Sequence, residues 1–269
     1  MDIKILYEDK DILAVNKPAG ILVHPAYSGA SADHKTKEGT LADWVLKKYP
    51  ETKDVGESMT LKIKNEELKI NRSGIVHRLD KETSGVLLIA KNQESYLFLK
   101  KQFQGRTIQK IYNAIVWGEI KKDGVVDKPI GRSPQFGKWS CGRGVRGTLR
   151  EAVTEYRVIK RIILPINADK KLIDSDISEY QESIGGISNF TFLEIKPKTG
   201  RTHQIRVHMK YLNHPVLCDK LYAPKLPLAL GMDRLALHAL SIEFSLQNGK
   251  TLKIEAPLPK DIKDATQKS

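Results

Sequence analysis

Two cysteines in 269 residues, Cys141 and Cys218, are too few for a disulfide framework, which excludes the small disulfide-stapled secreted folds and points to a reducing cytoplasm. Long hydrophobic runs are missing as well. The longest, Val86-Leu87-Leu88-Ile89-Ala90, falls far short of the roughly 20 apolar residues that a membrane-spanning helix needs. The opening Met1-Asp2-Ile3-Lys4-Ile5-Leu6-Tyr7 lacks the basic-then-apolar layout of a secretion signal. No fixed-period repeat or low-complexity tract is present, which argues against solenoids and propellers. A hydrophobic share of 40% with 29% charged residues is the balance of a soluble globular chain long enough for a full core.

What the chain has in excess is positive charge, +13 overall with a pI near 9.5. Its distribution says more than its size. Residues 1–50 carry seven basic and seven acidic side chains, whereas residues 130–161 carry eight basic against two acidic. Residues 198–235 carry seven against two, and the intervening 162–197 is acidic, three against six. Two basic blocks are what a surface tracking phosphates requires, although solvated basic faces give the same count.

Apolar patterning places the elements. Ile3–Tyr7 and Ile12–Asn16 read as a hairpin around the turn Glu8-Asp9-Lys10-Asp11. Ser28–Gly39 reads as a surface loop, and Thr40 with Asp43 as the cap of a helix with the stripe Leu41, Trp44, Val45 and Tyr49. Glu51–Arg72 is a polar connector with at most short strands. Gly74–Val76 and Gly85–Ala90 read as strands. Asn92 caps a helix with the stripe Tyr96, Leu99 and Phe103, which Gly105 ends. Ile108–Trp117, Val153–Ile159 and Asn189–Ile195 read as strands, with Tyr112, Ala114 and Val116 on one face of the first. Pro165–Gly186 reads as an acidic surface excursion and Thr202–Leu212 as a helix striped by Ile205, Met209 and Leu212. Asn248-Gly249 marks a further hairpin. Recurrent strands with few helices predict an α+β fold with a mixed, mostly antiparallel sheet.

Three segments concentrate reactive side chains. His77-Arg78-Leu79-Asp80-Lys81-Glu82-Thr83-Ser84-Gly85 lies where the chain leaves the sheet, and taken alone it reads as a charged turn with local caps. In Gly200–Met209, His203 and His208 are not at the i, i+4 spacing of a helical zinc pair and no cysteine accompanies them, so no metal is expected. Arg206 in that segment lies only partly opposite the apolar stripe, so its guanidinium can turn toward a carboxylate elsewhere. The third segment, Lys110-Ile111-Tyr112-Asn113-Ala114, places a tyrosine in a strand, where core packing is the usual role.

Together these segments resemble the motifs of the RluA family of pseudouridine synthases. The family pattern of His-Arg-Leu-Asp, two residues, Thr-Ser-Gly and an apolar run ending in Ala-Lys is matched by His77–Lys91, and Gly-Arg-Thr-His-Gln-Ile-Arg-Val-His-Met by Gly200–Met209. Val15–Gly20, Gly39-Thr40-Leu41, Lys110-Ile111-Tyr112 and Leu237-His238-Ala239 also match, in family order from about residue 5 to 258. The resemblance implies the pseudouridine synthase fold, one catalytic domain over 1–269 with two sub-lobes around a central cleft. It implies isomerisation of uridine in ribosomal or transfer RNA, without cofactor, in the cytoplasm and as a monomer. Many relatives add an N-terminal S4-type RNA-binding module, and none is expected here, because the pattern starts almost at Met1.

By the same resemblance Asp80 is the nucleophile, attacking either uracil C6 or ribose C1′. A model aspartate with pKa around 3.9 is ionised at neutral pH, burial opposes that state, and a nearby guanidinium restores it. Arg206 matches the family arginine that pairs with the aspartate, and Tyr112 the tyrosine against the uracil ring. The uridine must be flipped out or already unpaired. Arg78, His77, Thr83, Arg201, His203 and Gln204 are the expected RNA contacts. Two rivals come from other classes. A non-catalytic RNA-binding relative predicts a damaged Asp80, Tyr112 or Arg206, and all three are present. A glycosidase needs two facing carboxylates, and only Glu82 is near Asp80 in sequence; a metal-assisted nuclease would fail in chelator.

Overall fold

The hairpin that opens the chain forms because Asp9 closes it: its carboxylate accepts from the amides of Asp11 and Ile12, and β1 (Lys4–Glu8) pairs antiparallel with β2 (Ile12–Lys17). In the computed structural model, residues 1–25, 39–57, 59–63, 66–70, 72–135, 137–142, 145–163 and 189–268 are described. The predicted loop Ser28–Gly39, Gly39 excepted, and the acidic stretch Pro165–Gly186 lie outside them.

The chain divides into two units, Met1–Gln109 with Ser241–Ala256, and Lys110–Leu240 with Pro257–Ser269. After β2 the first unit continues with α1 (Leu41–Lys48), a 3-10 turn at Pro50–Asp54, the short strands β3 (Met59–Ile63) and β4 (Glu66–Ile70), β5 (Ser84–Ala90) and α2 (Gln93–Gln104). The second holds β6 (Gln109–Trp117), β7 (Gly124–Asp127), β8 (Ile130–Arg132), β9 (Trp139–Ser140), β10 (Arg146–Arg150), β11 (Val153–Ile163), β12 (Asn189–Pro197) and α3 (Gln204–Tyr211). Next, β13 (Leu237–Ser245) starts in the second unit and ends in the first, β14 (Thr251–Glu255) belongs to the first, and α4 (Lys260–Gln267) to the second.

In the first unit the strand order is β1-β2-β5, with β14 on β13. β5 is buried at every residue, so its apolar run faces protein on both sides and cannot be an edge. Helix α2 packs on it, and Leu88, Ala90, Tyr96 and Leu99 share a core with Ile12, Ala14, Phe244 and Ile254. Both helix starts are as the sequence predicts. Thr40 and Asp43 form a capping box, and the Asn92 side chain accepts from the Ser95 amide. Gly105 ends α2 in the right-handed region, and the left-handed residue is Arg106, φ 58°, one position later than expected.

In the second unit the order is β6-β12-β11-β7, each ladder antiparallel. Ala114, Val116, Phe190, Leu193 and Ile195 form its core with Ile205 and Met209 of α3. A separate three-stranded sheet, β10-β8-β9, was not legible in the sequence. With antiparallel ladders and helices that do not alternate with parallel strands, the fold is α+β, as expected. One predicted strand fails: Gly74–Val76 makes only an isolated bridge, Ile75 to Ile89. Gly74 there has φ 73°, and a Cβ on it would meet the Ala90 carbonyl oxygen, so the segment lies tight against the end of β5 in a backbone conformation that does not extend into a ladder.

Candidate active site

The turn that carries Asp80 is pinned from below. Thr83 donates its amide to the Asp80 carbonyl at 3.1 Å, closing a four-residue turn, and Gly20 donates to the Lys81 carbonyl at 2.9 Å. Lys17, 0% exposed at the end of β2, places its ammonium among the carbonyls of Pro18, Ile21 and Lys81 at 2.8, 2.9 and 3.0 Å. Three acceptors satisfy its three donors, which is how a buried lysine is tolerated. They also tie the loop after β2 to the residue that follows Asp80. Asp80 itself is half-buried, and its neighbours Arg78 and Lys81 are exposed.

His77 serves the fold on both sides. Its Nε2 accepts from the Leu88 amide at 2.9 Å, which leaves the proton on Nδ1, and its ring stacks on Phe103 with centroids 4.8 Å apart. Thr83 is buried, and its hydroxyl has no hydrogen-bond partner among the described residues. His24 stands close enough to Arg72 and Arg78 to feel both charges. Burial first, and then those two cations, push its pKa down to about 4.

In the second unit, α3 begins at Gln204, two residues later than predicted, because His203 takes a left-handed conformation, φ 56°. Gln204 then locks the helix start. Its side-chain oxygen accepts from the Thr199 hydroxyl and the Arg201 amide, and its NH2 donates to the Val153 carbonyl and the Thr154 hydroxyl. Arg201 donates to the Glu151 carbonyl. His208 is fully buried between the Thr154 hydroxyl and the Lys128 carbonyl, and burial lowers its pKa. Tyr112 is half-buried on β6, against the core of this unit. Two positions before it on the same strand face, Lys110 reaches the Thr199 carbonyl at 3.4 Å, and burial pushes its pKa down to about 8.

Arg206 has a partner that no sequence argument named. Its Nε and Nη2 donate to Asp219 Oδ2 and Oδ1, both at 2.8 Å, and its guanidinium lies 5.0 Å from the centre of the Tyr222 ring. Asp219 sits in an irregular stretch without periodicity, where a lone aspartate reads as a turn former. It is one, accepting the amides of Leu221 and Tyr222.

The predicted residues thus fall into two sets. His77, Arg78, Asp80 and Thr83 share one loop of the first unit, and Tyr112, Arg201, His203, Gln204 and Arg206 lie in the second. The basic blocks are partly consumed internally. Arg157 and Arg161 pair with Glu194 and Glu119, Lys198 with Glu155, and Arg234 with Asp261. Arg132, Arg146 and Arg150 are exposed on the three-stranded sheet, with Arg132 over the Trp139 ring.

Comparison with known proteins joins these sets to a family. The family model described as RNA pseudouridylate synthase matches residues 11–211. An RNA pseudouridine synthase of Bacillus subtilis is 35% identical over 97% of this chain and 71% of its own length. The ribosomal large subunit pseudouridine synthase D of Neisseria meningitidis is 34% identical over 97% of this chain and 60% of its own. Among solved structures, human RNA pseudouridylate synthase domain containing 4 superposes with a TM-score of 0.63 at 24% identity, covering 98% of this chain and 92% of the other; it supports the fold. The chain therefore belongs to the RNA pseudouridylate synthase family, as the RluA resemblance of its motifs implied, and by that membership it is an RNA-modifying isomerase.

Proposed function

We propose that this chain converts specific uridines of ribosomal RNA to pseudouridine, with transfer RNA as the alternative substrate, and that Asp80 is its nucleophile. The observation that carries the reading is the Asp80 turn, in which an unbroken family motif sits on a backbone fixed by the buried Lys17. Relatives named for the ribosomal large subunit favour ribosomal RNA. In the reaction the C1′–N1 bond breaks, the uracil turns within the site, and a C1′–C5 bond forms as the C5 proton leaves. Asp80 opens that sequence by attacking C1′, with N1 as the leaving group, or C6; its bond to the substrate breaks again once C5 has bonded to C1′, and N1 gains a proton as C5 loses one. Tyr112 takes the role its motif gives it, stacking on the base, and Arg206 that of counter-charge to the nucleophile. The uridine is flipped out of its helix to reach them.

Exposed Arg132, Arg146 and Arg150 supply phosphate contacts of the kind that fix register without reading sequence. Arg78, exposed beside Asp80, serves the same purpose, and the partly exposed Arg201 and His203 join the RNA-facing set, whereas buried Thr83 and Gln204 and the internally bonded His77 support the site through the fold and are not expected to touch RNA. The enzyme works as a cytoplasmic monomer and without cofactor in this reading. Tritium release from RNA labelled at uridine C5 tests it. Asp80→Asn should abolish release while RNA binding, measured by filter retention, stays within a few-fold of wild type. Unchanged turnover in that variant would remove Asp80 from the nucleophile's role.

A further inference from the structure

Arg206 and Asp219 form a doubly hydrogen-bonded pair, and both are buried, 8% and 2% exposed. A guanidinium offers two forked edges. Asp219 occupies the edge made by Nε and Nη2, so the plane of the group is set and its other edge has one direction. The carboxylate is itself immobilised. Its Oδ1 accepts the Leu221 and Tyr222 amides at 3.0 Å each, and the Asp219 amide donates to the Val216 carbonyl. Tyr222 lies against the guanidinium, and its hydroxyl is held by the Trp139 amide at 3.0 Å and by His203 Nδ1 at 2.9 Å.

The backbone just before Asp219 is strained. Cys218 has φ 60°, a left-handed conformation that side chains other than glycine seldom adopt. A buried ion pair is also a poor source of stability, since well-packed apolar residues of similar volume often serve as well or better. A strained approach to a costly pair is poorly explained by stability alone.

We propose that Asp219 is the positioning residue for Arg206: it holds the guanidinium by one edge so that the other faces the reacting nucleotide or its nucleophile, with Tyr222 as the floor of the seat. The inference rests on Arg206 having the role given under Proposed function, and its test separates the two. A lysine at 206 keeps the charge but cannot hold Asp219 by a fork and present a second edge, so Arg206→Lys should lower kcat. Asp219→Asn puts an NH2 where an oxygen accepts from Nε or Nη2, and should lower kcat by about 100-fold, the cost of a small misplacement of a reacting group, with KM little changed.

If Asp219 acts through Arg206, the double variant is no slower than Arg206→Lys alone. Asp219→Asn turnover at the wild-type rate, or losses that multiply in the double variant, would overturn the proposal. The wild-type chain gives a second measurement that needs no folded Asp219 variant. With ¹⁵N-labelled arginine, the Nε–H signal absent from Arg206→Lys should exchange slowly with water, and fast exchange would also overturn the proposal. Slow exchange together with wild-type turnover in Arg206→Lys would leave the seat standing and remove the catalytic role of Arg206.

Discussion

His24 gives a measurable handle on the first unit, because its charge is opposed from two directions. Burial disfavours the imidazolium, and Arg72 and Arg78 repel it, against a smaller favourable effect from Asp43; together they take the pKa from 6.5 to about 4. In the unfolded chain the group titrates near 6.5, so as pH falls below that value the unfolded state binds a proton that the folded state refuses. The stability contributed by neutral His24 is complete above about pH 6.5, shrinks as pH falls, and is gone below about pH 4. A depression of that size corresponds to about 3 kcal/mol in full, of which about 2 kcal/mol is lost by pH 5. His24→Asn keeps a polar group at the position of Nδ1 but cannot titrate. Urea unfolding followed by tryptophan fluorescence, for both proteins from pH 7.5 to 4.5, should show the wild type losing about 2 kcal/mol more than the variant between pH 7 and 5. Arg78→Gln should raise the His24 pKa in a proton NMR titration by removing one of the repelling charges. Parallel stability curves for wild type and His24→Asn would refute the argument, because they would mean that His24 takes up its proton as easily folded as unfolded.

Two other perturbations follow from the second unit. A lysine whose folded pKa lies near 8 and unfolded near 10.5 destabilises the chain wherever it is charged, so Lys110→Met should add up to about 3 kcal/mol at pH 7. That gain should shrink between pH 8 and 10.5, which urea unfolding at pH 7 and 10 would show; equal gains at both would remove burial of charge as the cause. Tyr112→Phe keeps a ring for stacking and loses the hydroxyl, so tritium release should slow by about 100-fold if the hydroxyl helps take the C5 proton. Wild-type rates would confine Tyr112 to stacking.

Much of the fold is decided over a few residues and is legible for that reason. The Asp9 turn, the Thr40–Asp43 box, the Asn92 cap and the Asn248-Gly249 hairpin are nearest-neighbour chemistry, and each forms where the sequence places it. Ile108–Trp117 and the apolar run before Lys91 likewise form strands where the sequence places them, each a short apolar-rich run buried on both faces over Asn113–Trp117 and Ser84–Ala90. Family membership was legible too, in the unbroken runs around Asp80 and Arg206, since a dense set of reactive side chains at fixed spacing cannot be imitated by packing needs alone.

Other features depend on which distant segments meet. Gly74–Val76 has a strand's composition, yet it meets β5 in a single bridge, with Gly74 in a left-handed conformation pressed against the Ala90 carbonyl. The sequence shows Lys17 only as a member of the matched run Val15–Gly20, with no role attached; the fold buries it completely and places the Lys81 carbonyl on its ammonium, making it an anchor of the Asp80 turn. Arg206 was recognisable by its motif, but its hold on Asp219, thirteen residues on, exists because the chain from Val216 turns through a left-handed Cys218 and returns beneath α3. The sequence by itself determined the family and which residues stand at its motif positions. Tertiary structure alone decided how those residues are held, because burial and partner geometry come from contacts between segments that no local pattern encodes.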